Sequence, residues 1–280
     1  THFGHMGTAA IDESGEVLWR QTSLTYPPMH GNGSSPIIAD DKLIFTCDGD
    51  EDPFLAALYK RTGKVAWRTK RKENKSRNKF SFCTPQLIEY GGRKIVVSPH
   101  SGAVAAYDPK DGSEIWRVTY GPGFSVTPRP VYADGIVYIA TGFARTRVLA
   151  IRLGGSGDVT DSHIVWETKD SPPYTPSMIV IDGKLYYVSD KGKVTCLEAK
   201  TGEQIWQGSL DAPISASPLY ADGKLYITSE RGKTYVLKAE DKFSVIAIND
   251  LDEKIFASFA VLDNNLYIRT ESKLYCIGEK

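Results

Sequence analysis

The sequence has no long apolar run and no excess of charge of either sign. Its apolar stretches are shorter than the roughly 18 residues that a membrane-spanning helix needs. Lysine plus arginine and aspartate plus glutamate number 34 each, so no net field attracts nucleic acid or an anionic membrane. The first residues, THFGHMGTAA, have neither the basic nor the apolar region of a signal peptide. We therefore expect no transmembrane segment and no nucleic acid partner.

Cysteine is also scarce, and no two cysteines are adjacent. The chain has 4 of them, at positions 47, 83, 196 and 276. Cys196 and Cys276 fall at matching positions of repeats that are two units apart, much farther than the roughly 7 Å between Cα atoms that a disulfide allows. We expect all four to be small, buried apolar residues rather than disulfides or metal ligands.

What the sequence does have is a repeated phrase that ends in tryptophan. The spacing of the five tryptophans is 40–50 residues, and a sixth copy is predicted to carry Ile246 in the tryptophan position; the five are Trp19, Trp67, Trp116, Trp166 and Trp206. A period of about 40–50 residues is typical of propeller blades, which bury their faces against their neighbours. We expect the tryptophans to dock each blade onto the next, because an indole buries a large apolar area.

Each repeat contains the features of four antiparallel strands. A hydroxyl residue and a proline open the unit, a two-residue turn such as Asp134-Gly135 follows the first strand, and a β-branched, aromatic run forms the second. The pattern predicts an all-β fold, one β-propeller domain over 1–280 of four-stranded antiparallel blades. The predicted units are 1–20 (partial), 34–68, 83–117, 126–168, 174–207, 215–247 and 258–280 (partial). The partial units predict six to eight blades and a piece of a longer propeller.

The phrases AAIDESGEVLW, ALYKRTGKVAW, AYDPKDGSEIW and LEAKTGEQIW resemble the tryptophan-docking signature of the PQQ-like (quinoprotein-type) β-propeller family. That family includes quinoprotein dehydrogenases and cofactor-free relatives such as the propeller lipoprotein of the outer-membrane assembly machinery. The resemblance implies a bacterial binding or assembly scaffold in the periplasm or at the cell surface. A dehydrogenase-type redox enzyme that uses PQQ with calcium is the alternative, and a carbohydrate-binding or lyase-associated propeller is the second alternative.

The dehydrogenase alternative lacks the residues that the resemblance would require. Such enzymes have a tryptophan floor under PQQ and often a pair of adjacent cysteines, whereas all five tryptophans here stand in docking positions and no Cys-Cys pair occurs. The acids Asp48, Asp50 and Asp52 have the spacing of a calcium loop but lack the rest of its pattern. We expect no catalytic residues, no cofactor and no metal.

The binding face is predicted from the longest loops. Loops after the second and fourth strands of a blade emerge at one end, here at 21–33, 48–53, 69–82, 98–102, 120–125 and 143–146. We expect a protein partner or a small polar ligand to contact this face near the first units. The candidate contact residues are Tyr26, His30, Asn32, Arg77, Phe80, His100, Tyr120, Phe124 and Arg145.

Two loops of this face carry opposite charge. The connector at 69–82 is basic, and the loop at 48–53 is acidic. Both leave the same blade at the same end, so we expect them to neutralise each other through exposed ion pairs, each contributing about 0–1 kcal/mol.

Overall fold

The computed structural model of the protein describes residues 1–72, 76 and 78–278. Within these residues helix is limited to a single 3-10 turn, Gly4–Met6, and one short α-helix, α1 (Thr160–His163). No helix in the described part is long and apolar enough to cross a membrane. The chain forms two compact units, Thr1–Val165 (unit 1) and Trp166–Lys280 (unit 2).

Unit 1 begins with a two-stranded sheet A, which is followed by four-stranded meanders. Sheet A contains β1 (Thr8–Ile11) and β2 (Val17–Gln21), and sheet B contains β3 (Ile37–Ala39), β4 (Lys42–Cys47), β5 (Phe54–Tyr59) and β6 (Val65–Lys70). Sheet C contains β7 (Gln86–Tyr90), β8 (Arg93–His100), β9 (Ala103–Tyr107) and β10 (Glu114–Thr119). Sheet D contains β11 (Val131–Ala133), β12 (Ile136–Ala140), β13 (Val148–Arg152) and β15 (Ile164–Thr168). Between β13 and β15 the chain forms β14 (Gly157–Asp158), which pairs with sheet C. The boundary between the two units falls within β15.

Unit 2 continues the same pattern. Sheet E contains β16 (Ile179–Ile181), β17 (Lys184–Val188), β18 (Lys193–Glu198) and β19 (Gln204–Ser209). Sheet F contains β20 (Leu219–Ala221), β21 (Lys224–Thr228), β22 (Lys233–Lys238) and β23 (Val245–Asp250). Sheet G contains β24 (Ala260–Leu262), β25 (Asn265–Arg269) and β26 (Leu274–Ile277).

Each full repeat predicted from the sequence contains one of these four-stranded sheets. The predicted hairpin turns are present: Asp134 and Gly135 both have positive φ, 48° and 78°, as do Asp182 and Gly183, 48° and 77°. Such turns follow the right-handed twist of the strands they join. The single domain over 1–280 and the number of blades remain predictions.

Four of the five tryptophans dock onto the turn between the third and fourth strands of the following sheet. Each indole Nε1 donates to a backbone carbonyl there: Trp19 to Lys60 at 3.0 Å, Trp67 to Pro109 at 3.1 Å, Trp166 to Ala199 at 2.9 Å and Trp206 to Glu240 at 2.8 Å. Three of these turns place a glycine against the indole ring. A Cβ at Gly63, Gly112 or Gly202 would lie 2.4–2.6 Å from atoms of Trp19, Trp67 or Trp166. The glycine and the tryptophan of the repeated phrase therefore serve one contact between consecutive sheets.

Trp116 is covered in a different way. The long connection in sheet D folds back, and its strand β14 pairs in parallel with β10, placing Gly157 opposite Trp116. Val159 joins the same core cluster, and its N–H donates to the carbonyl of Arg117 at 2.9 Å. Trp116 is 1% exposed, against 8% for Trp67 and 7% for Trp206, because this insertion closes the edge of sheet C.

Two expectations about single residues are wrong. The sixth tryptophan position is Ala247, not Ile246: Ala247 lies opposite Val236, as Trp206 lies opposite Cys196. Counting residues missed this register because the turn before β23 differs in length. All four cysteines are free, and Cys47, Cys83 and Cys196 are buried as expected, but Cys276 is exposed. It lies on β26, the last strand of the three-stranded sheet G.

The contact between glycine and tryptophan yields a prediction. Gly202 and Gly183 have nearly equal φ, +75° and +77°, but only Gly202 faces an indole, and nothing lies within 4 Å of a Cβ at Gly183. Both changes to alanine should cost about 1–2 kcal/mol through the left-handed backbone, and Gly202→Ala about 1–3 kcal/mol more through overpacking. Urea denaturation of the two variants measures the difference. Equal urea midpoints for the two variants would show that the contact with Trp166 accommodates a methyl group without loss of stability.

Candidate functional site

The loops at one end of sheets B, C and D are joined by backbone hydrogen bonds. We call this surface the loop face of unit 1 and define it as residues 26–34, 48–53, 71–72, 76, 78–85, 100–102, 120–127 and 141–147. The bonds that join its loops run from Asp50 N to Pro27 O (3.2 Å), Ser81 N to Asp48 O (3.1 Å), Ser125 N to Phe80 O (3.0 Å) and Phe143 N to Phe124 O (2.8 Å). These contacts make one continuous surface from loops that are far apart in sequence.

A buried ion pair lies beneath the loop face. Arg71 and Asp48 follow strands β6 and β4, which end on the same side of sheet B. Arg71 donates from Nε to Oδ1 and from Nη2 to Oδ2 of Asp48, each at 2.9 Å. The same guanidinium reaches sheet C, where it donates to Ser98 Oγ at 2.7 Å and to the Tyr107 hydroxyl at 3.1 Å. Since these side chains are all buried, this network holds sheets B and C together at the loop end.

The ion pair remains charged because its geometry offsets the cost of burial. Burial raises the pKa of the Asp48 carboxyl above its ordinary value, and the charge and hydrogen bonds of Arg71 act against that rise. Burial also acts to lower the pKa of Arg71, but the charge of Asp48 outweighs it, so the pKa of Arg71 lies above its ordinary value. A paired, fully hydrogen-bonded charge of this kind is costly to disrupt from one side only.

A polar pocket of about 320 Å³ opens above this pair. Its lining has acidic and basic side chains in similar numbers and one imidazole; the lining residues are Asp50, Glu51, Asp52, Pro53, Lys70, Arg71, Lys72, Lys79, His100 and Ser101. Lys70 pairs with Asp52 at 2.6 Å, and Lys72 pairs with Glu114 at 2.7 Å. The predicted neutralisation of the basic connector by the acidic loop thus occurs at Lys70, but the pair formed by Arg71 is buried rather than exposed.

His100 is a buried imidazole in the lining of the pocket. Its Nδ1 lies 3.1 Å from the carbonyl oxygen of Ser101, and the Tyr120 hydroxyl donates to the carbonyl of His100 at 2.6 Å. Burial lowers the pKa of His100 well below its ordinary value, and the positive charges of Arg71 and Lys79 lower it further. The imidazole is therefore neutral at neutral pH, with Nδ1 assigned as the protonated nitrogen because a carbonyl only accepts.

A row of aromatic rings runs beside the pocket, from the interior to the surface. Phe80 is buried and contacts His30 at 5.7 Å and Phe124 at 5.4 Å between ring centroids. Phe124 in turn lies 6.4 Å from Phe143, which is 49% exposed. Phe143 stands at the tip of the loop between β12 and β13, beside Ala144 and Arg145, which both have φ of 66°. The row gives an exposed aromatic side chain a packed base.

The structure brings together most of the residues predicted for the binding face. His30, Phe80 and Phe124 form the aromatic row, and His100 and Tyr120 share a hydrogen bond. Tyr26 is buried and donates to Asn32 Oδ1 at 3.2 Å. His30, Asn32 and Arg145 are exposed. Arg77 lies outside the described residues.

Sequence reasoning missed the roles of Arg71, Asp48, Ser98 and Phe143. Arg71 and Asp48 appeared only as members of a basic and an acidic loop. A positional signal was available, since each follows directly on the last residues of a strand, where a side chain can still point into the sheet contact. Ser98 and Tyr107 lie 27 and 36 residues from Arg71, and no local pattern connects them.

The acids of the 48–53 loop are not arranged as a calcium site. Both oxygens of Asp48 accept from Arg71, and Asp52 pairs with Lys70. In the part of the chain that the structure describes, no group of three or more histidine, cysteine, aspartate or glutamate side chains is placed to hold a metal ion.

Comparison with known proteins identifies the fold. The family model described as outer membrane protein assembly factor BamB matches residues 6–208 and again 157–255. Curated proteins give no significant sequence match. The crystal structure of BamB from Moraxella catarrhalis is similar with a TM-score of 0.70 and 14% identity, over 95% of this chain and 76% of that one. The computationally designed Ika8 protein is similar with a TM-score of 0.67 and 12% identity, over 94% and 75%. These likenesses confirm the predicted all-β propeller fold.

The buried ion pair predicts a pH-dependent loss of stability. In Arg71→Met the carboxyl of Asp48 stays buried without its cation, which should cost about 3–5 kcal/mol at pH 7. The change removes groups that lower the pKa of Asp48, so that pKa rises further above its unfolded value. A carboxyl whose pKa is raised in the folded state destabilises the fold increasingly as pH rises. The loss in free energy of unfolding relative to the wild type should therefore become smaller as pH falls toward the pKa that Asp48 has in the unfolded chain.

Urea denaturation of the variant and the wild type between pH 5 and pH 7 measures this deficit. The matched control is Lys70→Met, which removes the neighbouring exposed pair with Asp52 and should cost less than about 1 kcal/mol. A deficit for Arg71→Met that does not change with pH would contradict a buried carboxylate at Asp48.

Proposed function

Because the chain belongs to the outer membrane protein assembly factor BamB family, we propose that it is a non-catalytic propeller scaffold that binds a protein partner. The partner is a component of the outer-membrane protein assembly machinery, and the place is the periplasm or the cell surface. The observation that carries the proposal is the aromatic row of the loop face, which ends in the exposed ring of Phe143.

An exposed aromatic side chain with a packed base suits a protein interface. Protein-binding energy is concentrated in aromatic and arginine residues that are surrounded by weaker polar contacts. Phe143 and Arg145 are two residues apart at one loop tip and are both exposed. Since Phe124 and Phe80 hold the base of the row, little side-chain freedom is lost when a partner covers its end.

The backbone of the loop tip supports the same function. Ala144 and Arg145 are consecutive non-glycine residues with φ of 66°, a conformation that costs such residues free energy. The loop is fixed from both sides, since Phe143 and Phe124 exchange backbone hydrogen bonds and Thr141 N donates to Arg147 O at 3.0 Å. A strained but fixed tip presents Phe143 and Arg145 in one geometry.

The buried polar groups of the loop face support a scaffold rather than an enzyme. Asp48 and Arg71 are paired with each other, and Ser98 and Tyr107 each accept a further N–H of Arg71. Tyr120 holds a backbone carbonyl. The Arg71 network joins sheets B and C, and the Tyr120 bond fixes the loop end of sheet C, so each of these groups has a structural role.

Partner binding can be tested on the loop tip. Phe143→Asp combined with Arg145→Glu should reduce co-purification of the assembly machinery from detergent-solubilised envelopes at least about tenfold, corresponding to about 1.4 kcal/mol. The control is Tyr59→Asp, an aromatic of similar exposure (42% against 49%) at the end of β5 that points away from the loop face. We expect this control to co-purify like the wild type.

The alternative outcomes of this experiment are distinct. Undiminished co-purification of the loop-tip variant would place the contact elsewhere on the molecule. If the wild type itself co-purifies with no component of the machinery, the proposal that this machinery is the binding partner is contradicted.

A cofactor-free scaffold also predicts how the protein treats PQQ. After incubation with PQQ and calcium, followed by desalting, the protein should show no quinone absorbance and no alcohol- or sugar-dependent reduction of a dye. A dehydrogenase of the same fold class, treated in parallel, is the positive control. Stoichiometric retention of PQQ would favour the redox alternative.

A further inference from the structure

The contact between sheets F and G differs from the contact between sheets E and F because its fourth strand carries no tryptophan. In sheet E, Tyr186 and Trp206 lie in one row across the strands, and their ring centroids are 5.9 Å apart. In sheet F the same row contains Tyr226 and Ala247. Ala247 therefore lies where an indole would otherwise reach the next sheet.

The sheet that receives the contact shows the same difference. Leu225 and Leu237 of sheet F lie opposite each other, belong to the core cluster of Trp206 and are fully buried, each 0% exposed. At the matching position of sheet G, Leu266 lies opposite Ile277, and Ile277 is 44% exposed. The apolar surface that is covered in sheet F is thus left partly open in sheet G.

A cavity of about 770 Å³ lies at this place. Tyr226 lines it from sheet F, and Leu266 and Ile277 line it from sheet G. Each of the three is the counterpart of a residue that belongs to the same core cluster as Trp206 in the contact between sheets E and F. The cavity therefore occupies the position that an indole fills in that contact.

The lining defines the kind of ligand that this cavity suits. Tyr226 offers an aromatic ring, and rings attract one another beyond the area that they bury. Leu266 and Ile277 provide apolar surface, whereas the turn residues Asp222 and Asn264 provide polar groups. A planar aromatic ligand with a polar substituent matches both parts of the lining better than a saturated ligand of equal size.

We propose that this cavity binds a small molecule with an indole-like bicyclic aromatic ring, which takes the place of the missing tryptophan side chain. The volume of about 770 Å³ lies within the roughly 300–1,000 Å³ typical of sites that hold a complete ligand. This size favours a small molecule over a single side chain of a protein partner. The proposal does not depend on the partner contact at Phe143.

Two probes of equal size test the preference for a planar ring. Indole is planar and aromatic, whereas cyclooctanol has the same number of non-hydrogen atoms in a saturated framework. In the full chain with 13C-labelled leucine and isoleucine methyl groups, indole should shift the resonances of Leu266 and Ile277 saturably. Cyclooctanol should bind at least about tenfold more weakly, a difference of about 1.4 kcal/mol. The methyl resonances of Leu225 and Leu237, whose cluster already contains Trp206, should not move.

Restoring the tryptophan tests the position of the site. In Ala247→Trp the new side chain should occupy the cavity itself, so the indole-induced shifts should be lost and the urea midpoint should rise. The matched control is Ile248→Trp, because successive side chains of a strand point to opposite faces of the sheet and Ile248 is 57% exposed. This control should bind indole like the wild type.

A second variant tests the lining without adding volume. Tyr226→Leu removes the aromatic ring from the cavity and should weaken indole binding severalfold. Its control is Tyr220→Leu, since Tyr220 lies in the row of Leu225, on the opposite face of sheet F. We expect this control to bind indole with unchanged affinity.

Four results would overturn the proposal. They are the absence of any indole-induced shift in the wild type, equal affinity for the two probes, indole binding retained by a folded Ala247→Trp variant, and equal binding by Tyr226→Leu and Tyr220→Leu. Shifts of Leu266 and Ile277 that appear on raising the protein concentration without a probe would show that a second copy fills the cavity, and would likewise contradict a small-molecule site.

Discussion

Within each unit, consecutive sheets are held together by an indole that lies on the turn of the next sheet. Trp67 and Trp206 are buried at such contacts, and their Nε1 atoms satisfy carbonyls that the turn leaves without a strand partner. The glycines at 112 and 202 leave room for the rings of Trp67 and Trp166. A larger residue there would push the sheets apart, so at these contacts the spacing of the sheets depends on one glycine and one tryptophan.

This contact secures one end of the sheets and leaves the other end to the loops. In unit 1 the loop ends of sheets B and C are joined by the guanidinium of Arg71. It binds Asp48 of its own sheet, and Ser98 and Tyr107 of the next. With both ends held, the loops above are supported by fixed strands. The strained tip at Ala144 and Arg145 is held by the backbone hydrogen bonds between Phe143 and Phe124.

Residues at equivalent positions of different sheets can be compared with one another. Where sheets share a residue type at an equivalent position, such as the acid of Asp190 and Glu230, its bonds within the fold account for it. Such a comparison shows which side-chain contacts belong to the repeated fold itself.

The sequence by itself determined the architecture, because the features that define a blade are local. A two-residue turn such as Asp182-Gly183, a β-branched strand and a tryptophan at fixed spacing each act within a few residues, and all appear as predicted. The loop face was also predictable, since strand order alone decides which loops emerge at the same end.

Tertiary structure decided what depends on register and on neighbours. The turn between β22 and β23 is one residue longer than the turn between β18 and β19, so pairing across the strands places Ala247, and not Ile246, at the last tryptophan position. Arg71 became a buried ion pair and not a solvated charge because Ser98 and Tyr107, from another sheet, complete its hydrogen bonds. Burial of a charge requires such partners, and only the packed fold brings them within reach.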